Sequence, residues 1–269
     1  MSDTYTHGHH DSVLRSHRNR TVENSAAYLA PLLRPGLDLL DVGCGPGTIT
    51  HDLAARVAPG RVRGIDVVEE PLVEARAAGD GVEAGAEHRV EFAVDDVYGL
   101  TDPDDSYDVV HAHQVLQHLS DPVAALREMR RVARPGGVVA ARDADYAAFT
   151  WFPHDERLDA WLALYRAVAH GNHAEPDAGR RLLAWARAAG FTEITPSASV
   201  WCYATPETRA WWGGLWAERI VSSSIAGQAV ERGLATRSDL EEMSAAWRDW
   251  AAHDDGWFLV PHGEILARA

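Results

Sequence analysis

The stretch from Leu37 to Ala58 constrains this chain more than any other. Leu37, Leu39, Leu40 and Val42 form the short apolar run of a buried parallel strand, and Gly43, Gly45 and Gly47 interrupt it at once. Ile49, Leu53 and Val57 then recur at helical spacing, so the segment predicts strand, glycine loop, helix. Glycines at such a junction let backbone approach a ligand closely, and the free N–H groups of a helix N-terminus favour an anion.

Spacing separates the ligands that use this junction. A dinucleotide fingerprint, Gly-x-Gly-x-x-Gly, requires glycine where the chain has Thr48, while Gly47 stands one residue earlier. The form Asp41-x-Gly43-x-Gly45-x-Gly47 instead resembles motif I of the class I S-adenosylmethionine-dependent methyltransferases. Further on, Arg61 to Val67 reads as a second strand, with Val62, Gly64 and Ile65 before Asp66, which near its end is placed to accept hydrogen bonds from ribose hydroxyls. Dinucleotide enzymes share that feature, so Asp66 supports an adenosine ligand without choosing its class.

The choice comes from later segments. Val90, Phe92 and Val94 alternate as a third strand before Asp95-Asp96-Val97, and a fourth strand ends at His113-Gln114. The run from Ser106 to Gly137, SYDVVHAHQVLQHLSDPVAALREMRRVARPGG, closely resembles the methyltransferases of ubiquinone and menaquinone biosynthesis. Two independent motifs in the right order extend the resemblance over roughly residues 37 to 145. It implies an α/β fold: a Rossmann-like, seven-stranded, mostly parallel sheet with helices on both faces, binding S-adenosylmethionine.

The resemblance also implies site residues. Asp41, Gly43, Cys44, Gly45 and Gly47 would seat the methionine and ribose part, Asp66 and Val67 the ribose, and Asp96 with Val97 the adenine, with Asp95 the one-residue alternative. His113 and Gln114 would border the cofactor. An N-terminal segment, residues 1–33, would close over it and bring Tyr5 and Arg20 to its methionine end. The core would then be 34–145, completed by 177–203 and 255–269.

All ten tryptophans stand at or after Trp151. Helical spacing over 155–169, 177–189, 205–220 and 237–250 predicts helices, with strands in 191–203 and near Trp257. Segments 146–176 and 204–254 read as insertions leaving the carboxyl ends of strands, where ligands bind in such sheets, and together predict an α-helical lid. Tyr146, Trp151, Trp212 and Trp216 are its candidate substrate contacts, making an apolar chamber for a small aromatic or greasy acceptor. His118 and His113, after the fourth strand, are candidate bases because imidazole titrates near neutrality. Asp143 and Asp145 resemble the start of a Mg²⁺ site, but no third ligand is spaced for one, so no metal is expected.

Composition narrows the rest. A net charge of -15 opposes a general nucleic-acid binder. No apolar run approaches a membrane span, so a cytoplasmic location is expected. Cys44 and Cys202 suggest no disulfide framework. All 25 basic residues are arginine, which excludes a lysine base or Schiff base. The His-rich start, His7, His9 and His10, reads as a solvated terminus. Nothing in the sequence sets an oligomeric state.

The expected activity is methyl transfer to an O, S, N or C nucleophile of a small, largely apolar metabolite, of the secondary-metabolism kind. A quinone-pathway C-methyltransferase is a subordinate version, disfavoured by the long Trp-rich lid, and a cofactor-binding module without transfer is the competing class. Asp66→Ala should weaken S-adenosylmethionine binding by about 1–3 kcal/mol, because polar partners lose their acceptor. Calorimetry measures this, and unchanged affinity reassigns the ribose contact.

Overall fold

The computed structural model describes Thr6, residues 11–79 and residues 90–269. Tyr5, His7, His9 and His10 lie outside the described residues. One sheet organises the rest. Strands β1 (Leu39–Val42), β2 (Val62–Asp66), β3 (Val90–Val94), β4 (Tyr107–His113) and β5 (Ala133–Ala144) are parallel. Strands β6 (Thr150–Phe152) and β7 (Ile194–Tyr203) both pair antiparallel with β8 (Trp257–Arg268), which itself runs antiparallel to β5. The order is β3-β2-β1-β4-β5-β8-β6, with β7 also on β8.

The sheet therefore has eight strands rather than seven. The additional strand, β6, is three residues inside a segment read as lid, too short to show periodicity. β8 continues past Val260 to Arg268 although Pro261 and Gly263 interrupt its apolar pattern.

Helices α1 (Asp11–Arg18), α2 (Val22–Ser25), α3 (Thr48–Val57), α4 (Glu70–Gly79), α5 (Pro122–Val132), α6 (Glu156–Gly171), α7 (Leu182–Ala188), α8 (Pro206–Ser222), α9 (Ser224–Glu231) and α10 (Arg237–Ala252) surround the sheet. α2 is a single turn, held by a capping box: Asn24 N–H donates to Thr21 Oγ1, and Thr21 N–H donates to Asn24 Oδ1. No helix among the described residues is long and apolar enough to cross a membrane.

The two faces of the sheet differ. On one, Leu40, Val42, Val110, Ala112, Val139 and Ala141 pack against Leu126 and Met129 of α5 and Leu182 and Ala186 of α7. On the other, Leu39, Val109, Val138 and Ala140 meet Val22, Ala26 and Leu29 and, from α3, Leu53 and Val57. Two residues further along the strands, this second face turns polar. The register places Asp41 beside His111, His113 beside Arg142, Arg142 beside Glu264, and Glu264 beside Ser197. The apolar end supplies the burial that holds the sheet together, and the polar end lies toward the carboxyl ends of β1, β4 and β5.

A third core joins α6, α8 and α10 over the end of β8. Trp161, Trp216 and Trp247 are fully buried there with Phe258. Trp161 makes edge-to-face contacts with Trp216 and Trp247, its ring centroid 4.6 and 4.7 Å from theirs, an arrangement favoured by the ring quadrupoles. Trp161→Ala should therefore cost about 3–5 kcal/mol. Denaturant unfolding measures this, and a loss below about 1 kcal/mol would show that the three helices do not depend on this cluster.

Candidate active site

A cavity of about 450 Å³ lies at the carboxyl ends of β1, β2 and β4. Its floor is the glycine loop. Gly43 and Gly47 both adopt positive φ, 65° and 77°. A Cβ on Gly43 would sit 2.5 Å from Val115 Cγ2, and one on Gly47 would sit 2.8 Å from Ala75 Cβ, so sterics as well as φ exclude side chains there. Asp66 holds the loop in shape by accepting from Gly45 N–H at 3.1 Å and from Val68 N–H at 3.3 Å.

Asp41 lines the cavity, yet its carboxylate is already engaged. Oδ1 bonds His111 Nδ1 at 2.7 Å, and Oδ2 accepts from Thr50 Oγ1 of α3 at 2.6 Å. It braces β1, β4 and α3 beneath the loop. The pair Asp95 and Asp96 also divides its work. The Asp95 carboxylate accepts from Arg63 and from Thr101, whereas Asp96 is exposed and its carboxylate accepts from Tyr98 N–H. Asp96 is thus the carboxylate of the two with capacity for a ligand.

The rest of the lining includes Arg20 and His17 from the N-terminal segment, His113, Gln114 and His118, and Leu119, Tyr146, Phe149, Trp201, Trp212, Arg219 and Val260. A bonded chain orients this side. Arg20 donates to Gln114 Oε1 at 2.7 Å, and the Gln114 amide meets His262 Nε2 at 2.8 Å. His262 Nδ1 reaches Val260 O at 2.9 Å, which assigns the proton to Nδ1 and leaves Nε2 as acceptor. Gln114 takes a positive φ of 54°, the backbone cost of aiming its amide between Arg20 and His262.

Residues 33–193 match the methyltransferase-domain family. An uncharacterized methyltransferase of Schizosaccharomyces pombe is 34% identical over 268 residues, covering 97% of this chain and 95% of the relative. The chain belongs to the S-adenosylmethionine-dependent methyltransferases. A probable methyltransferase of Aspergillus luteorubrus, LtbC, is 31% identical, covering 99% of this chain and 98% of that one. Among solved structures, the [4+2]-cyclase SpnF superposes with a TM-score of 0.53 at 25% identity, over 93% of this chain and 83% of that one.

The methyltransferase gathers most of the sequence-predicted residues on one cavity. Arg20, Asp41, Gly43, Cys44, Gly45, Asp66, Val67, Asp96, Val97, His113, Gln114, His118, Tyr146 and Trp212 all line it. Three do not. Gly47 turns away against Ala75 and Phe92. Trp151 stacks on Phe258 at 5.6 Å, and Trp216 is buried in the aromatic core. Helical spacing identifies an apolar face but not which of its residues reach the core and which the cavity. The same spacing would have found Arg219, which falls two turns after Trp212 on that face. Trp201, Phe149 and Val260 stand on or beside antiparallel strands whose pairing no local motif reveals.

Electrostatics revise the expected bases. Burial and the neighbouring Arg20 push His118 down to about 3, and burial, again with Arg20, holds His113 well below the usual imidazole range. Both are neutral rings at physiological pH, and so weak a base is poorly matched to removing a phenol's proton. Burial pushes the Cys44 thiol up, so it faces the cavity uncharged. Asp143, raised to about 7 by burial, accepts from Gln117 N–H, while Asp145 is held by Arg180 through two bonds of 2.7 and 2.6 Å. These two carboxylates are structural, and no cluster of three His, Cys, Asp or Glu ligands occurs among the described residues.

His113 and His262 are nearly inaccessible and both have lowered pKa values. Below the unfolded histidine pKa of about 6.5, the unfolded chain binds protons that the folded chain refuses. Stability should therefore be full above about pH 6.5 and fall as pH is lowered, by up to about 1.4 kcal/mol per pH unit for each such group. Melting curves from about pH 8 to about pH 5 check this. The slope should be smaller in His113→Gln, and a wild-type melting temperature constant across that range would overturn it.

Proposed function

We propose that this methyltransferase transfers the methyl group of S-adenosylmethionine to a nucleophilic atom of a small, largely apolar or aromatic molecule. The observation that carries this reading is the continuity of the cavity, which joins a carboxylate-lined edge to an aromatic wall without a partition. The residues fit the cofactor. Asp66 and Val67, which line the cavity, would hold the ribose, and Asp96 with Val97, which line it too, the adenine. Thr48 and Ile49, in the first turn of α3, would bring the positive end of the helix to the methionine part, and Arg20 and Gln114 line the same cavity. Both His113 ring nitrogens are buried without a hydrogen bond to the described residues, which leaves them available to a bound molecule.

When bound, S-adenosylmethionine supplies an electrophilic methyl on a sulfonium. The chain's own residues align the acceptor and exclude water. Tyr146, Phe149, Trp212 and Leu119 give that end an apolar lining on which a planar ring can lie, and the aromatic faces also suit a sulfonium cation. Segments 146–176 and 204–254 act as the lid, and α1 with Arg20 closes the cavity from the N-terminal side. The solvent-excluded acceptor end opposes a polymeric acceptor.

Transfer of labelled methyl to a panel of phenols, thiols, amines and quinones, together with calorimetry of S-adenosylhomocysteine, tests the reading. Failure to bind S-adenosylhomocysteine would sink it. Binding without transfer to any acceptor would favour a scaffold that uses this fold for other chemistry, as the likeness to a cyclase allows. For an acceptor that is methylated, Trp212→Ala should raise KM about tenfold, equivalent to about 1.4 kcal/mol, with S-adenosylhomocysteine affinity unchanged. A fall in cofactor affinity instead would place Trp212 at the donor end.

A further inference from the structure

A second cavity, of about 310 Å³, adjoins the first. Ser16, Arg20, Trp201 and Trp212 line both. Trp201 stands at the junction. Its ring centroid lies 5.8 Å from that of His113, which lines the first cavity, and 4.9 Å from Cζ of Arg142, which lines the second. Its indole N–H donates to Asn24 O, which fixes the ring there. A molecule seated against Trp212 in the first cavity reaches the second by extending past these two rings.

The second cavity has another chemistry. Leu119, Tyr146 and Phe149 give the first an apolar end, whereas the second is lined by Asn19 of the N-terminal segment, Arg142 of β5, Ser199 of β7 and Glu264 of β8, with Trp211 of α8. Arg142 is 1% exposed. Its Nε donates to Ser199 Oγ at 3.1 Å and to Glu264 Oε1 at 3.2 Å, while its Nη1 is buried with no hydrogen-bond partner. A buried donor left unsatisfied costs about 1–3 kcal/mol, so an oxygen supplied by a ligand is what this group lacks.

That oxygen need not be charged. Glu264 already neutralises the guanidinium, and the four charged residues lining the cavity, Arg20, Arg142, Glu23 and Glu264, balance in sign. A carboxylate would meet Glu264 as a like charge, while a hydroxyl accepts from Arg142 and can still donate to a carboxylate or to the Asn19 amide oxygen. Trp211 and Trp212, with Tyr203 stacked on Trp212 at 4.4 Å, add flat apolar surface. Hydrogen-bonding groups beside aromatic faces suit a ring with hydroxyls at its edge and C–H bonds on its faces.

We propose that the second cavity holds a neutral, polyhydroxylated appendage of the acceptor, of the glycosyl kind, while the ring that carries the nucleophile lies in the first. The inference rests on the methyl-transfer reading for the occupant of the first cavity. The acceptor is then a conjugate with one apolar and one polar end, and Arg142, Asn19 and Trp211 select the polar end. No bond is made or broken in the second cavity, which contributes affinity and alignment from a part of the acceptor remote from the reacting atom.

The test uses three probes on the full-length protein saturated with S-adenosylhomocysteine, titrated by calorimetry: 4-hydroxyphenyl β-D-glucoside, the matching glucuronide, and 4-methoxyphenol, which keeps the phenol and the ether oxygen but lacks the sugar. The glucoside should bind at least about tenfold more tightly than 4-methoxyphenol, and the glucuronide no more tightly than the glucoside. Trp211→Ala, which alters the second cavity alone, should remove the advantage of the glucoside and leave the affinities for 4-methoxyphenol and S-adenosylhomocysteine unchanged. A glucoside bound no better than 4-methoxyphenol overturns the inference, as does binding of neither, an advantage that survives Trp211→Ala, or a glucuronide bound more tightly than the glucoside. If Trp211→Ala fails to fold, Asn19→Trp, at an exposed position on the wall of the second cavity, decides in its place: the glucoside advantage lost supports the proposal, and the advantage kept overturns it. Failure of the wild-type protein to bind S-adenosylhomocysteine would instead remove the methyl-transfer reading beneath it.

Discussion

The constraint on which the rest of the structure depends is the change of one sheet face from apolar to polar along its own strands. Leu39, Val109, Val138 and Ala140 bury this face against α2 and α3, and two residues later Asp41, His111 and Arg142 continue it, with His113 two beyond His111. A buried polar row of this kind is tolerable only where it is bonded or faces a ligand. The chain uses both solutions. Asp41 is satisfied by His111 and Thr50, and hydrogen bonds to a charged group are worth about 1.5–3 kcal/mol each. Glu264 accepts from Arg142, Ser197 and Ser199 across three adjacent strands. Between these two bonded knots, His113 faces the cavity.

That arrangement explains what was legible from the order of residues alone. The glycine loop, Asp66 and the Asp95-Asp96 pair belong to short segments in which local geometry dictates residue type, so motif and structure coincide. At Gly47 the same glycine requirement has another origin: its space is filled by Ala75 and Phe92 rather than by a ligand. Asp41 is similar, since the position demands a carboxylate as a brace under the loop whether or not a ligand touches it.

Segment 204–254 was legible as helices and not as a surface. Trp212, Trp216 and Arg219 share one face of α8, yet Trp216 packs against Trp247 and Trp161 while Trp212 and Arg219 reach the cavity. Which occurs depends on where α10 and β8 arrive, and those contacts span long separations in sequence. The antiparallel pairing of β7 with β8 is the same kind of fact. It places Trp201 opposite Val260 and brings the indole N–H to Asn24 O at 2.6 Å, which no periodicity within 191–203 announces.

The N-terminal segment ties the two halves of the cavity together. His17 O accepts from Thr48 Oγ1 at the start of α3, and Arg18 makes a bidentate pair with Glu74 of α4, so one side of α1 is fixed to the helices beside the glycine loop. From the same helix, Arg15 pairs with Glu218 and Ser16 accepts from Arg219, fixing the other side to the lid. Thr6 is buried beyond it, bonded to Asn172 after α6 and to Gln228 of α9. Any displacement of α1 therefore breaks contacts to the glycine loop and to the lid together. The two exposed ion pairs, Arg15 with Glu218 and Arg18 with Glu74, contribute little, typically below about 1 kcal/mol each, so the part-buried and buried hydrogen bonds carry much of the attachment. The same element thus carries Ser16, which accepts from Arg219 of α8, and His17, which accepts from Thr48 at the start of α3.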